Sequence, residues 1–156
     1  MDIERWLQPK HILLDIDVAD GAHALEAAAA TVGHAHHVDP TAILHALTRR
    51  EQAGSTAMGG GFAIPHARVR GITEPLTLFM RPQRAIAFGA PDARPVSQFL
   101  VILVPTEGSR TEHLELLAAV ARLFSETRFR SELDNAPDVS ATAAAFRAGL
   151  SRIVAA

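Results

Sequence analysis

Eight histidines and no cysteine stand out in a chain of 156 residues. Imidazole titrates near neutral pH and is both a nucleophile and a metal ligand, so phosphoryl, proton or metal chemistry is sought there first. The absence of thiols removes disulfides, thiolate catalysis and every cysteine-containing zinc site. Spacing then separates the eight. His34, His36 and His37 lie two and one residues apart, which does not place ligands on one helical face, so a solvated loop is the plainer reading and no metal is expected. His11, His23 and His45 show no partner pattern. His66 differs, because Pro65 fixes its own φ and restricts Ile64, so the backbone delivering the imidazole is stiff. A reactive group needs that definition of position. His113 falls in the first turn of an expected helix, where unpaired N–H groups and the dipole favour an anion.

A second candidate is the glycine run in Ser55-Thr56-Ala57-Met58-Gly59-Gly60-Gly61. A P-loop needs Lys and Ser or Thr after its last glycine and opens a helix, whereas Phe62-Ala63-Ile64 follows here and reads as a strand. The dinucleotide fingerprint fails in the same way. Two readings stay open: a plain bend, or a turn that brings backbone N–H groups near an anion.

These groups need elements to carry them. Ile12–Ile16 reads as a first strand and Ala22–Val32 as an alanine-rich helix ending at Gly33. Asp39-Pro40 gives an N-cap and a first-turn proline for a second helix with Ile43, Leu44 and Leu47 on its apolar stripe, stopping near Gly54. Ser55–Gly61 reads as a flexible turn, followed by a strand over Phe62–His66. Further strands are expected at Pro75–Met80, Ala85–Phe88 and Val96–Val104, the last of them central because it is apolar on both faces. Thr111 is the expected cap of a helix burying Leu114, Leu117, Ala118, Ala121 and Phe124, and a last helix covers Thr142–Leu150. The sum is an α/β protein, a three-layer α/β/α sandwich with a mixed sheet, expected as a single domain over residues 1–156 with a core of about 6–150. Phe62, Met58 and Ile86 are candidates for an apolar rim near His66, and equally for the core.

Charge and hydropathy limit the partners. Lys and Arg number 15 against 17 Asp and Glu, a net charge of −2, which offers no basic excess for nucleic acid. The longest apolar run, Phe99–Val104, is far short of the roughly 20 residues of a membrane span. No export signal is legible in MDIERWLQPK, so a cytoplasmic protein without stable membrane insertion is expected.

The stretch Arg50-Glu51-Gln52-Ala53-Gly54-Ser55-Thr56-Ala57-Met58-Gly59-Gly60-Gly61-Phe62-Ala63-Ile64-Pro65-His66-Ala67-Arg68 resembles the phosphorylation-site region of the fructose/mannitol-type (type 2) enzyme IIA domains of the bacterial phosphotransferase system. The resemblance runs on through Pro95-Val96 and Leu103-Val104-Pro105 to His113-Leu114, and covers nearly the whole chain. A free-standing chain of this size is similar above all to the nitrogen-branch enzyme IIA.

The resemblance implies that His66 accepts a phosphoryl group, as a tele-phosphohistidine, from the phosphocarrier HPr or its nitrogen-branch counterpart NPr. It places Arg50 and His113 beside the acceptor, with no cofactor and no metal, since phosphoryl transfer asks mainly for in-line placement and charge stabilisation. Ser55 or Thr56 could donate a hydroxyl to the phosphoryl oxygens, or stabilise the turn. Arg49 reads as a helix-end cation. The implied role is a phosphotransferase-system carrier whose phosphorylation state regulates partner proteins. The alternatives are a sugar-specific IIA passing phosphate to a IIB for uptake, and a binding module without the chemistry.

Overall fold

The computed structural model describes residues 7–108 and 110–155; the expected core limit at residue 6 lies outside them. A 3-10 turn at Pro9–His11 leads into β1 (Ile12–Ile16), then α1 (Gly21–His36) and α2 (Pro40–Gln52). The middle of the chain gives β2 (Ala57–Gly59), β3 (Phe62–Ala63), β4 (His66–Val69), β5 (Leu76–Pro82) and β6 (Gln98–Pro105), and the end gives α3 (Arg110–Ser125), α4 (Thr127–Asn135) and α5 (Val139–Ala155).

The sheet is mixed, in the order β1-β5-β6-β3-β2, with β4 also paired to β6. β6 is the central strand because alternate residues feed two cores. Phe99, Val101 and Leu103 face α1 and α2, and Leu100, Ile102 and Val104 face α3, α4 and α5. The first core is built close, with Ala24, Ala28 and Ala29 of α1 against the sheet. The second is filled by phenylalanines: Phe129 and Phe146 lie 5.0 Å apart and Phe124 and Phe129 5.1 Å, both edge to face, the arrangement ring quadrupoles favour. The three-layer α/β/α sandwich is therefore the fold observed.

Several local expectations change. α1 does not end at Gly33 but runs to His36, and His37 closes it at φ 56°. Gly33 is needed for another reason: a Cβ there would sit 2.7 Å from both Pro40 Cγ and the Val38 carbonyl, where the chain doubles back into α2. His34 and His36 are thus on a helix and not in a loop. His36 meets His11, with the two Nε2 atoms 2.8 Å apart. Part of the flexible turn at 55–61 is strand β2, paired antiparallel with β3. Ala85–Phe88 is reduced to a bridge between Ile86 and Val96. Thr111 lies inside α3, which starts at Arg110, and the buried stripe is Leu116, Val120, Leu123 and Phe124. Leu114 is exposed, because the helix is turned to face the phenylalanine core. α4 was not expected at all; it is short and polar, with only Phe129 and Leu133 buried. Phe62 and Ile86 are core, and Met58 is exposed.

One buried charge joins the layers. Arg81, 8% exposed, donates from Nη1 to the carbonyls of Leu133 and Ala136 at 2.9 and 2.8 Å, which fall at the C-terminal end of α4 where carbonyls lack intrahelical donors. It also pairs with Asp15 through two bonds of 3.2 Å. Arg81→Met should lower unfolding free energy in urea titrations by about 2–4 kcal/mol, because the Ala136 carbonyl loses the Arg81 bond and the Leu133 carbonyl keeps only the 3.4 Å bond from the Ala136 N–H. Asp15→Asn should cost about 1 kcal/mol or less, since that carboxylate is largely in water and Asn tolerates the left-handed backbone at φ 55°.

Candidate active site

The site is made by a break in a strand. β3 and β4 pair with β6 in one continuous register, Ala63 opposite Phe99 and His66 opposite Ile102, with Ile64 and Pro65 between them outside either strand. The Pro65 carbonyl still accepts from the Ile102 N–H at 2.8 Å. Ile64 faces the other way. Its N–H reaches the Thr56 carbonyl at 3.1 Å, and with β2 not extending further its own carbonyl is left to accept a hydrogen bond from His66 Nδ1 at 2.8 Å.

That bond sets the tautomer. A carbonyl only accepts, so Nδ1 carries the proton and Nε2 keeps its lone pair. The Nε–H of Arg50 donates to Nε2 at 3.3 Å. Arg50 comes from the last turn of α2 and is held by an Nη1 bond to the Gly54 carbonyl at 2.8 Å. The chain from α2 into β2 is locked by Glu51, whose carboxylate accepts from both the N–H and the hydroxyl of Thr56. His113, on the first turns of α3, brings its ring centroid to 5.9 Å from that of His66 with a tilt of 53°. Its Nδ1 is buried and has no hydrogen-bond partner among the described residues.

The three residues expected together, His66, Arg50 and His113, do meet, around a cavity of about 420 Å³ that Arg49 and Arg68 also line and no carboxylate does. Burial is the main cause that pushes the His66 pKa below its usual value, and the Arg50 charge adds to it, against the Ile64 bond and Glu51. His113 is lowered too, first by burial, then by Arg68 and His66. Both imidazoles therefore stay neutral to lower pH than a free histidine. A neutral, oriented imidazole in a cationic cavity is suited to attack an electrophile that carries negative charge.

Ser55 and Thr56 are placed differently from the phosphate-donor expectation. The Ser55 hydroxyl donates to the Phe88 carbonyl and accepts from the Ala57 N–H, and the Thr56 hydroxyl donates to Glu51. Each hydroxyl has one proton, and it is spent on the turn. The glycine run takes its plain reading as well. Gly59, Gly60 and Gly61 have φ of 87°, 69° and 86°, and the Gly60 N–H donates to Asp92. Sequence reasoning missed Arg68 as a wall of the cavity. The available signal was its place two residues beyond His66 on the same face of a strand.

Among the described residues no group of three or more His, Asp and Glu is placed to hold a metal, and no helix is long and apolar enough to cross a membrane.

The chain is similar to known proteins over most of its length. A "Nitrogen regulatory protein" of Pseudomonas aeruginosa is 34% identical over 140 residues, 89% of this chain and 90% of that protein. A fructose-specific EIIA component of Haloferax volcanii is 36% identical over 95 residues, 61% of each chain. Among solved structures, the nitrogen regulatory protein IIA-Ntr of Neisseria meningitidis superposes with a TM-score of 0.87 at 33% identity, covering 92% of this chain and 97% of that one. The mannitol IIA of Escherichia coli, at 16% identity, shares the fold with a TM-score of 0.75. The family model described as "Phosphoenolpyruvate-dependent sugar phosphotransferase system, EIIA 2" matches residues 5–148, and the chain belongs to that family of phosphoryl carriers.

Proposed function

We propose that this protein accepts a phosphoryl group on Nε2 of His66 from the phosphohistidine of an HPr- or NPr-type carrier, in the cytoplasm, and that the phosphorylation state regulates its partner proteins. The observation that carries the reading is the Nδ1 bond to the Ile64 carbonyl, which commits one ring nitrogen and turns the lone pair of the other toward Arg50. The regulatory branch is favoured over sugar uptake by likeness to nitrogen regulatory proteins across about nine-tenths of the chain.

In the transfer, the Nε2 lone pair of His66 forms the new N–P bond while the carrier's N–P bond breaks, its electron pair returning to the carrier's imidazole. The Nδ1–H stays on the Ile64 carbonyl during the attack, so the phosphorylated ring carries a positive charge for as long as it keeps that proton. Once Nε2 has no lone pair, the Arg50 Nε–H turns to a phosphoryl oxygen, and an imidazole N–H of His113 can serve another. The phosphoryl group carries roughly −2 at pH 7, a net change of about −1 while Nδ1 keeps its proton, which is enough to repel an acidic partner surface or recruit a basic one.

With phosphoenolpyruvate, enzyme I and the carrier, the wild type should form an acid-labile adduct and His66→Ala should form none; retention of the adduct in that variant would refute the assignment. Arg50→Gln should slow transfer by about 10²-fold, and His113→Ala by about tenfold or more, with thermal midpoints within a few degrees of wild type because both side chains are part-exposed. Onward transfer to a sugar-specific IIB would replace regulation with the transport role.

The same geometry predicts a pH dependence. Because the His66 pKa is lowered, its proton is lost at lower pH than in a free histidine, so transfer should persist below pH 6.5 and fall only as pH drops through the lowered value. Ring nitrogen shifts in NMR should show the Nδ1–H tautomer at neutral pH. Arg50→Gln should move the His66 titration upward, since a cation that disfavours imidazolium is removed. Folding stability should decline as pH falls from the free-histidine value toward the lowered one and level off below it, because over that range the unfolded chain binds protons that the native imidazoles resist.

A further inference from the structure

A phosphoryl group on His66 carries nearly two negative charges and three oxygens, and the residues already assigned do not match it. Arg50 supplies one positive charge, and its Nη1 is already taken by Gly54. His113 supplies an N–H but no charge while neutral, the form its burial favours. Arg50 is then the one cation that these assigned residues bring to the phosphoryl oxygens.

Arg68 stands where that deficit falls. It follows His66 by two residues on β4, so the two side chains leave the same face of the strand about 6.4–6.8 Å apart, within the length of an arginine. It lines the same cavity as His66 and His113, and its charge is felt at His113. Its guanidinium is exposed and makes one long bond of 3.4 Å, from Nη1 to the Pro105 carbonyl, so several of its donors face solvent. Arg49 also lines the cavity, but it shares the end of α2 with Arg50, points about 100° away around that helix, and contributes to the shift of neither imidazole.

Resting on the phosphohistidine reading, we propose that Arg68 is the second guanidinium of the phosphoryl site, gripping the oxygens on the side of the cavity opposite Arg50. The pair of arginines then brings two cations to the phosphoryl oxygens while His113 remains neutral. Two arginines reaching from different elements, a helix end and a strand, hold the oxygens from two directions, which fixes the group in line without a metal.

The test has two arms. In the first, the protein is titrated with inorganic phosphate and the ring signals of His66 and His113 are followed by NMR. Arg68→Gln should weaken phosphate binding by about tenfold, Arg68→Lys by less, and Arg49→Gln by less than Arg68→Gln. In the second, transfer from the phosphocarrier is timed, and Arg68→Gln should slow it and shorten the lifetime of the adduct. Wild-type binding in Arg68→Gln, a larger loss in Arg49→Gln, or no binding of phosphate by the wild type would overturn the proposal. If instead the wild type forms no adduct while Arg68→Gln still loses phosphate, the phosphohistidine reading fails and the anion site stands.

Discussion

Everything at the site depends on one hydrogen bond, from His66 Nδ1 to the Ile64 carbonyl. The ring is tied to backbone two residues before it, so its orientation does not rely on a mobile side chain, and the lone pair on Nε2 is fixed by elimination. The acceptor exists only because β3 gives way before Ile64. In an unbroken strand with a full neighbour, that carbonyl would be used in the ladder. Pro65 removes an N–H donor, and the end of β2 removes the outer partner, so the sheet opens a carbonyl where the imidazole needs one. Register with β6 is kept on both sides of the gap, which is why the opening does not loosen the sheet.

The two cores make that local defect affordable. β6 is buried along seven of its eight residues, and its alternation sets α1 and α2 on one side and α3 to α5 on the other. Arg50 arrives from the first layer and His113 from the second, while His66 lies at the sheet between them. Neither layer alone could assemble the cavity. The Glu51 bonds to Thr56 and the Arg81 bonds to the end of α4 hold the two sides to the sheet by satisfying backbone groups at element ends.

Much of this was legible in the residues, and the exceptions have physical causes. β1, the caps of α2 and the central β6 follow from periodicity, Asp39-Pro40 and a six-residue apolar run. The stiff approach to His66 follows from Pro65 alone. Gly33 misled because glycine marks close approach as well as helix ends, and the space it leaves is filled by Pro40 and Val38. α4 escaped because a nine-residue polar helix has too few buried positions to show a period. Leu114 was assigned inward on spacing, but spacing gives an apolar face only to within a turn of the helix, and tertiary packing chose Leu116 and Val120. Ser55 and Thr56 suited a phosphate site by type. What no residue type reveals is where a hydroxyl's single proton goes, and here it goes to Phe88 and Glu51.

The histidines show how far residue type goes before geometry decides. His11 and His36 are in direct contact, Nε2 to Nε2 at 2.8 Å, so one proton lies between them and one lone pair is consumed in accepting it. Both rings protonated would set two N–H groups against each other, and burial and neighbouring charge keep the His36 pKa low. That pair joins the start of β1 to the end of α1. His66 and His113 are drawn from the same residue type, but their centroids lie 5.9 Å apart, and both rings line a cavity walled by arginines. The Nε2 lone pair of His66 meets only the long bond of 3.3 Å from Arg50, so a group entering the cavity can take it. The difference between a structural imidazole pair and a reactive one is therefore where the ring nitrogens are spent: His11 and His36 bond to each other, whereas the broken strand at Ile64 and Pro65 gives His66 Nδ1 a carbonyl and leaves Nε2 toward the cavity.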